Sequence, residues 1–386
     1  MITIYWVIIG LTLLAMITPW ILKFIFPHKI CFKEVALSMV ISLAIGGLSF
    51  IFFTATTPRS IEIWNGLVTD KKQVRVSCSH SYQCNCINVC SGSGESRTCT
   101  RVCQTCYRHS HDYDWRVYTN LGNHYRNIPR IDSQGVRTPP RWQQVIIGEP
   151  YSRENRYRDY IKASNNSIYD FRNRRQREEF DALIPEYPRV YDLYRTNHIF
   201  EASSNPRFSD SDLKSMNIEF KTLLGEWGPI HQINMIIVFT DQSREFMNYM
   251  VNEWEGGRKN DAIIFINLSD ENTVNWVDIH SWTKNEFFNS IIRSDILALD
   301  EFYITKLWEI LGNNVAYFER IEMEEFRYLL SERKYHWWQV LLMLILQLGG
   351  NIAIGILISR KKLFDTLTPN IKSSRMYPQF KRHRRI

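Results

Sequence analysis

The sequence predicts an α/β domain and a small Cys-rich β module, carried by three transmembrane helices. Three observations lead to this fold class. The 386-residue chain concentrates its apolar residues at its two ends, while its middle is polar. Seven of its eight cysteines fall between positions 78 and 106. Two continuous apolar runs, 234–239 and 262–266, flank a helix-like segment, which is the pattern of buried parallel strands joined by a crossover helix.

Three apolar segments are long enough to cross a bilayer: 4–26, 35–55 and 337–359. About 20 apolar residues suffice to span roughly 30 Å of hydrocarbon. The second and third segments contain no charged residue. A cleaved signal peptide is the alternative for the first segment, but that segment lacks a basic start and a second apolar segment follows almost at once. The sequence therefore predicts three transmembrane helices.

The basic residues beside these segments predict the orientation of the chain. Those that carry the signal are Lys29, Lys33, Arg360, Lys361 and Lys362. The tail 360–386 has nine basic residues and one acidic residue, so its net charge is +8. The formal net charge of the whole chain is +7, so the remaining residues sum to −1. Basic flanks favour the cytoplasm, so we expect a cytoplasmic tail and residues 56–336 outside, in the periplasm or an equivalent compartment. A charge confined to one tail argues against nucleic-acid binding.

The first outer part, residues 57–150, is predicted to be a loop-rich β module that begins with a strand and a turn at 62–68. Its candidate disulfide or metal-binding residues are Cys78, Cys84, Cys86, Cys90, Cys99, Cys103, Cys106, His80, His109 and His111. The cysteine-containing segment has few large aliphatic residues, and small modules of this kind need cross-links to stay folded.

The cross-link has two main interpretations. Clustered cysteines in an oxidising compartment pair as disulfides, and an odd number leaves one thiol over or pairs it between chains. Structural zinc is the alternative, because Cys103, Cys106 and His109 are evenly spaced, and Cys84 and Cys86 can complete a set of four ligands. A catalytic Cys–His pair is a third interpretation, although nothing in the sequence marks one thiol as activated.

A polar connector, 151–187, leads to the α/β domain, 188–330. The connector mixes basic and acidic residues, as a solvated helix face does. The elements predicted in the domain are a helix at 210–224 capped by Ser209, a strand at 234–239, a helix at 243–254, strands at 262–266 and 274–281, and a helix capped by Thr283 with Glu286 completing a capping box. This order predicts a sheet with both faces covered.

Part of this domain resembles the TPM domain, a family of thylakoid-lumen and bacterial envelope proteins. The resemblance rests on the strand 236–240 and on residues 254–261, Trp-Glu-Gly-Gly-Arg-Lys-Asn-Asp, and it covers roughly residues 210–330. It implies an α/β sandwich that faces a non-cytoplasmic compartment. The Cys-rich half and the three-span layout depart from the family's usual plan.

The whole chain also resembles membrane proteins of unknown function encoded by tailed bacteriophages. This resemblance rests on the segment 78–86, Cys-Ser-His-Ser-Tyr-Gln-Cys-Asn-Cys, and on the short motifs at 140–142 and 147–150. It implies a viral protein inserted in a host inner membrane, without implying a mechanism.

Two functional hypotheses follow. The first is a non-enzymatic envelope factor that binds a protein of the host envelope or a second copy of itself. The second is a metal-dependent hydrolase, since some TPM relatives are described as phosphatases. Its candidate catalytic residues are Asp241 and Asp261, whose carboxylates lie near predicted strand ends and would bind a divalent cation. The alternative for both aspartates is an ordinary role in loops and caps.

Overall fold

The computed structural model of the chain describes residues 4–25, 32–55, 57–91, 98–122, 124–163, 180–332, 337–350 and 352–353. The chain divides into two compact units. One contains the apolar segments from both ends of the chain. The other, here called the central unit, comprises Pro58–Lys162 and Asn166–Arg327.

Two helices of the first unit are long and apolar enough to cross a membrane: α1 (Ile4–Ile25) and α2 (Phe32–Ala55). They pack against each other. Only 18% and 28% of their apolar windows are buried, whereas the core helix of a soluble protein is mostly buried. Their outward apolar surface therefore favours lipid as the surrounding medium.

The prediction of a third membrane-spanning helix at 337–359 needs correction. Within the described residues there are two candidate spanning helices rather than three. The segment begins as an α-helix, Trp337–Leu344, and continues as a π-helical turn, Ile345–Gly349. Residue 351 and residues 354–359 lie outside the described residues, so the described helix is too short to span.

The orienting residues are only partly described. Lys33 lies in the first turn of α2. The other four, Lys29, Arg360, Lys361 and Lys362, lie outside the described residues. The side of the membrane on which the central unit lies therefore stays a prediction.

The middle of the chain forms three sheets with helices around them. Its elements in chain order are β1 (Arg59–Val76), β2 (Ser81–Ser91), β3 (Thr98–Tyr107), β4 (Asp112–Thr119), β5 (Tyr125–Ile128), α3 (Pro140–Gln143), β6 (Pro150–Arg158), α4 (Tyr160–Ala163), β7 (Ile199–Glu201), α5 (Asp210–His231), β8 (Asn234–Phe239), α6 (Glu245–Glu253), β9 (Asp261–Leu268), β10 (Val274–Ser281), α7 (Phe287–Leu297) and α8 (Ile304–Asn314), with 3-10 helices at Val315–Tyr317 and Met323–Glu332.

The first sheet, in the order β5-β4-β1-β6, is built on the 18-residue strand β1. The first half of β1 pairs with β6 and the second half with β4. The strand therefore continues through the turn predicted at 62–68, because each half has its own partner. Strand β6 occupies the start of the predicted connector 151–187. The sheet also has its own core, formed by Val68, Trp115, Val117, Leu121, Ile128, Val145, Tyr151 and Tyr194.

The second sheet, in the order β10-β9-β8-β7, confirms the predicted α/β architecture. Strands β7, β8 and β9 are parallel, and β10 runs antiparallel to β9. Every residue of β8 is buried. One face packs against α5, α7 and α8, and the other against α6. Two covered faces explain the unbroken apolar runs in β8 and β9.

The helix starts agree with one prediction and correct another. Ser209 forms a capping box with Asp212 at the start of α5, as predicted for that residue. The predicted capping box of Thr283 and Glu286 is wrong, because α7 begins one residue after Glu286. The Thr283 hydroxyl instead donates to the carbonyl oxygen of Glu319 at 3.2 Å. The same hydroxyl oxygen accepts the backbone N–H groups of Asn285 at 3.2 Å and Glu319 at 3.1 Å, so Thr283 forms a local turn and a tertiary contact instead of a helix cap.

The two sheets belong to one unit because α5 lies directly against β1. At Gly228 of α5, an added Cβ would stand 2.3 Å from the backbone oxygen of Asn65. At Gly225 it would stand 2.7 Å from the backbone oxygen of Gly66. Only glycine permits so close an approach of helix and strand.

Buried polar groups join the same two sheets. Asn65 Nδ2 donates to Asn234 Oδ1 at 2.9 Å, and Asn234 Nδ2 donates to Asp261 Oδ1 at 2.8 Å. Asn65 Oδ1 accepts from the Ser152 hydroxyl at 2.8 Å. All four residues linked by these hydrogen bonds are 4% exposed or less. Each hydrogen bond therefore offsets a desolvation cost of about 1–3 kcal/mol that an unpaired group would incur.

We predict that Gly228→Ala destabilises the central unit by about 1–3 kcal/mol. Helix propensity alone would make alanine about 1 kcal/mol better than glycine, but the clash with Asn65 reverses the sign. Urea unfolding followed by tryptophan fluorescence measures the change. Glu226→Ala on the exposed side of α5 is the control and should be near neutral. A stabilised Gly228→Ala variant would contradict the packing of α5 on β1.

We also predict a pH effect at His198, which is fully buried and donates from Nε2 to Asn234 Oδ1 at 3.0 Å. Burial, followed by the charge of Lys221, lowers its pKa from 6.5 to about 3. The unfolded chain binds a proton below about pH 6.5 and the folded chain does not, so stability falls as pH falls from 6.5 towards 3, by up to about 1.4 kcal/mol per pH unit.

The matched variant is His198→Gln, which keeps a neutral donor and does not titrate. Urea unfolding of both proteins between about pH 6.5 and pH 4 should show the shallower pH slope in the variant. All other titrating groups are common to both proteins, so the difference between the slopes isolates His198. Equal slopes would mean that His198 is not buried in its neutral form.

Candidate functional site

The most distinctive surface feature is the two-stranded sheet of β2 and β3, here called the ribbon. It pairs with neither four-stranded sheet among the described residues, and none of its residues belongs to the three apolar cores. Most of its side chains are exposed. The ribbon is therefore a projection from the central unit rather than a part of its core.

Three disulfides lie within the ribbon: Cys84–Cys106, Cys86–Cys103 and Cys90–Cys99. Each bridge joins β2 to β3, and none ties the ribbon to the rest of the unit. Their Cα–Cα separations are 5.8, 4.0 and 3.9 Å. The predicted pairing of cysteines with one left over is present, and the remaining thiol is Cys78, which is buried.

The zinc interpretation based on Cys84, Cys86, Cys103 and Cys106 is corrected by these pairs. All four sulfurs are in disulfide bonds, and a metal ligand must be a free thiolate. The even spacing reflects two bridged cysteines of β3, Cys103 and Cys106, followed by His109 in the loop between β3 and β4. Spacing alone did not distinguish the two interpretations, because both need cysteines that converge in space.

The two faces of the ribbon differ in character. The register places Ile87 opposite Val102 and Cys90 opposite Cys99. Side chains alternate between faces, so Val89 joins Ile87 and Val102 on one face, while two of the disulfides lie on the other. Ile87 is 63% exposed, Val102 50% and Val89 49%. One face thus carries two disulfides, while the other presents these apolar side chains to solvent and carries the third disulfide, Cys84–Cys106, nearer the base.

The base of the ribbon carries a cluster of four potential metal ligands: Cys78, His80, His109 and Asp112. Their ligand atoms all lie within 4.8 Å of one another. His109 Nδ1 is 3.7 Å from Cys78 Sγ and 3.1 Å from Asp112 Oδ1. His80 Nδ1 is 3.6 Å from Asp112 Oδ2. The structure thus brings three of the sequence candidates together with one residue that the sequence analysis missed.

Asp112 is fully buried. Burial opposes its ionisation, but hydrogen bonds from the Ser79 backbone, Arg130 and His109 outweigh this effect and lower its pKa well below the usual range. Its sequence signal would have been an acidic residue three positions after His109. The candidate His111 lies outside the cluster, and its Nε2 pairs with the Tyr113 hydroxyl at 3.0 Å.

The two candidate catalytic aspartates do not share a site. Asp261 opens β9 beside Asn234 at the start of the parallel strand β8, whereas Asp241 follows the end of β8. Six residues of strand separate these ends by about 20 Å. Asp261 is buried, which raises its pKa to about 6, and it accepts hydrogen bonds from Asn234 and Tyr187. One cation cannot bind both carboxylates.

Asp241 organises a loop. Its carboxylate accepts the backbone N–H groups of Ser204 and Asn205, each at 3.0 Å. Burial opposes ionisation, but these hydrogen bonds outweigh it and lower the pKa of Asp241. Both aspartates thus have structural contacts of the ordinary kind, and a catalytic role for either stays a prediction.

A cleft of about 690 Å³ lies beside β7 and α5. Burial, followed by the charge of Arg195, lowers the pKa of its Lys221 to about 8. Lys221 Nζ donates to Asn197 at 3.0 Å, and Arg195 pairs with Glu149 at 3.3 Å. These contacts engage Lys221 and Arg195 in the structure of the cleft, so neither is a basis for assigning a reaction.

We predict that reduction opens the ribbon without unfolding the cores. The bridges close short loops inside a ribbon that contributes nothing to the three cores. The ribbon strands contain no tryptophan, whereas Trp115, Trp254 and Trp308 are core residues, so tryptophan fluorescence follows unfolding of the cores and does not report directly on the ribbon. The urea midpoint of the full chain should therefore change little when a reductant is added.

Peptide mapping of the non-reduced chain supplies the second readout and should recover the three pairs named above. A Cys90→Ser/Cys99→Ser double variant is the control, since it removes one bridge without a reductant. A large fall in the urea midpoint on reduction would show that the disulfides stabilise the whole central unit.

No protein-family model matches the chain, and neither a curated protein nor a solved structure does. The resemblances to the TPM domain and to tailed-phage membrane proteins therefore stay predictions, and a functional proposal must come from the geometry of the ribbon and its base.

Proposed function

We propose that this chain is a membrane-anchored envelope protein whose ribbon binds another envelope protein on the non-cytoplasmic side. The observation that carries the proposal is the exposed apolar face of a ribbon that three disulfides hold rigid. Helices α1 and α2 supply the anchor. The resemblance to tailed-phage proteins adds a bacterial inner membrane as the proposed location.

The placement of the disulfides supports a binding role. A two-stranded ribbon is marginally stable by itself in water. Each bridge contributes on the order of 2–4 kcal/mol by restricting the unfolded ensemble, and here all three act on an element outside the cores. Rigidity at an exposed element lowers the ordering cost of binding. The bridges thus favour a preformed contact surface.

The chemistry of the ribbon favours a protein as its partner. Arg101 is the one charged residue in β2 and β3. The face that presents Ile87, Val89 and Val102, here called the open face, carries β-branched apolar side chains. The outer edges of both strands also offer unpaired backbone groups within the described residues, which suits addition of a partner strand. A lipid surface fits less well, since the sequence between the strands includes Glu95 and Arg97.

The same bonds support the proposed compartment. Disulfides persist in oxidising compartments and are rare in the cytosol. The orientation predicted from basic residues also puts residues 56–336 outside the cytoplasm, so two independent arguments support one location. The phosphatase alternative has no comparable support, because Asp241 and Asp261 lie at opposite ends of β8 and β9.

We predict that a photo-crosslinking amino acid at position 89 captures one protein partner in cells. The full-length chain should yield a discrete adduct whose added mass is that of one other membrane or envelope protein. Adding Val102→Asp on the same face should reduce the adduct at least about tenfold, because binding would then bury an unpaired charge. Denaturing electrophoresis and peptide mass mapping measure the result.

The matched control is the same crosslinker at position 88. Asn88 is exposed like Val89, but its side chain lies on the opposite face, with the Cys90–Cys99 bridge. Equal adducts from both positions would mean that the open face has no special role. An adduct of twice the chain mass would identify a second copy as the occupant, and a lipid adduct would identify the bilayer; either result would overturn the proposed partner.

A further inference from the structure

We propose that the base of the ribbon is a zinc site that binds one Zn²⁺ through Cys78 Sγ, His80 Nδ1, His109 Nδ1 and one carboxylate oxygen of Asp112. The proposal starts from a free cysteine in a module that otherwise pairs its cysteines. Cys78 is 7% exposed and stands against two imidazoles and a buried carboxylate. Thiolate, imidazole and carboxylate are the ligands that zinc takes in proteins.

The distances suit a tetrahedral centre. Zinc bonds of about 2.0–2.3 Å at tetrahedral angles separate neighbouring ligand atoms by roughly 3.3–3.6 Å. The separations from His109 Nδ1 are 3.1 Å to Asp112 Oδ1 and 3.7 Å to Cys78 Sγ. All four ligand atoms lie within 4.8 Å of one another, so small side-chain movements would complete the tetrahedron.

The ligand atoms contact one another and are also held from outside the cluster. His109 Nδ1 pairs with Asp112 Oδ1, a contact that a bound metal would replace, and Cys78 Sγ accepts the backbone N–H of His80 at 3.4 Å. The Oδ2 atom of Asp112 accepts from the Ser79 backbone at 3.1 Å and from Arg130 at 2.9 Å. Its Oδ1 atom faces His109. His80 Nδ1 is buried and has no hydrogen-bond partner within the described structure. A ligating carboxylate held by outer partners and a buried ring nitrogen without a partner are both expected of a metal site.

A catalytic Cys–His–Asp relay explains the geometry less well. In such a relay the histidine uses one ring nitrogen for the nucleophile and the other for the acid. Here Cys78 and Asp112 both approach Nδ1 of His109. Two contacts that converge on one ring nitrogen indicate that a single ion would lie between the thiol, the imidazole and the carboxylate. The burial of Cys78 would also keep a substrate away from its sulfur.

The position of the cluster gives the metal a mechanical role. Cys78 and His80 lie between β1 and β2, where the chain enters the ribbon, and His109 and Asp112 lie where it returns to β4. One ion would therefore tie both ends of the ribbon to the first sheet. The disulfides join the two strands of the ribbon, and the metal would fix its direction. This inference does not depend on the proposed partner.

The test is zinc binding by the oxidised full-length chain, purified in detergent without a histidine tag and dialysed against Zn²⁺ at about neutral pH. Elemental analysis should find about one zinc per chain, with the affinity at least about tenfold lower in Cys78→Ser and in His109→Gln. His111→Gln should bind like the parent chain, since His111 pairs with Tyr113 outside the cluster.

Co²⁺ in place of zinc distinguishes a lost ligand from a misfolded variant. The parent chain should show a thiolate-to-cobalt charge-transfer band, and Cys78→Ser should lose this band while its three disulfides and its urea midpoint are retained. Failure of the parent chain to bind zinc in the micromolar range would overturn the proposal. Binding that persists in both Cys78→Ser and His109→Gln would place the metal elsewhere and would also overturn it.

Discussion

The central unit depends on one long strand, β1, and on the buried contacts along it. Its Asn65 side chain bonds to Asn234 of the second sheet at 2.9 Å, and its Glu62 carboxylate accepts both 2.9 and 3.0 Å hydrogen bonds from Arg320. Glu62 is fully buried, so loss of Arg320 would leave its charge paired only with the more distant Lys259, whose Nζ is 3.7 Å away. These contacts make two sheets that look separate in sequence into one folded unit.

The same strand determines where the ribbon begins. The β1–β4 ladder ends at the pair Val76 and Asp112, so the two links to the ribbon leave the sheet side by side. This register brings Cys78 next to His109 across 31 positions of sequence. The candidate metal cluster is therefore a consequence of strand pairing, and a change in register would separate its ligands.

Stability and recognition are divided between different parts of the unit. The cores under the two sheets contain the buried aromatic and aliphatic residues, whereas the covalent cross-links are confined to an element that buries little. Apolar burial scales with area and suits a large sheet–helix interface. A two-stranded ribbon has no such area, so disulfides are the available way to hold it in one shape.

Local patterns in the sequence determined α5, α6, the buried strands β8 and β9 and the cap at Ser209, because periodicity and capping are short-range effects. They gave neither α8 nor the start of α7. They also identified the cysteine cluster and the odd thiol. Three features were decided only by tertiary structure: the continuous strand β1, the membership of Asp112 in the ligand cluster and the separation of Asp241 from Asp261. Each depends on strand register or on pairing across tens to hundreds of positions, which no local pattern records.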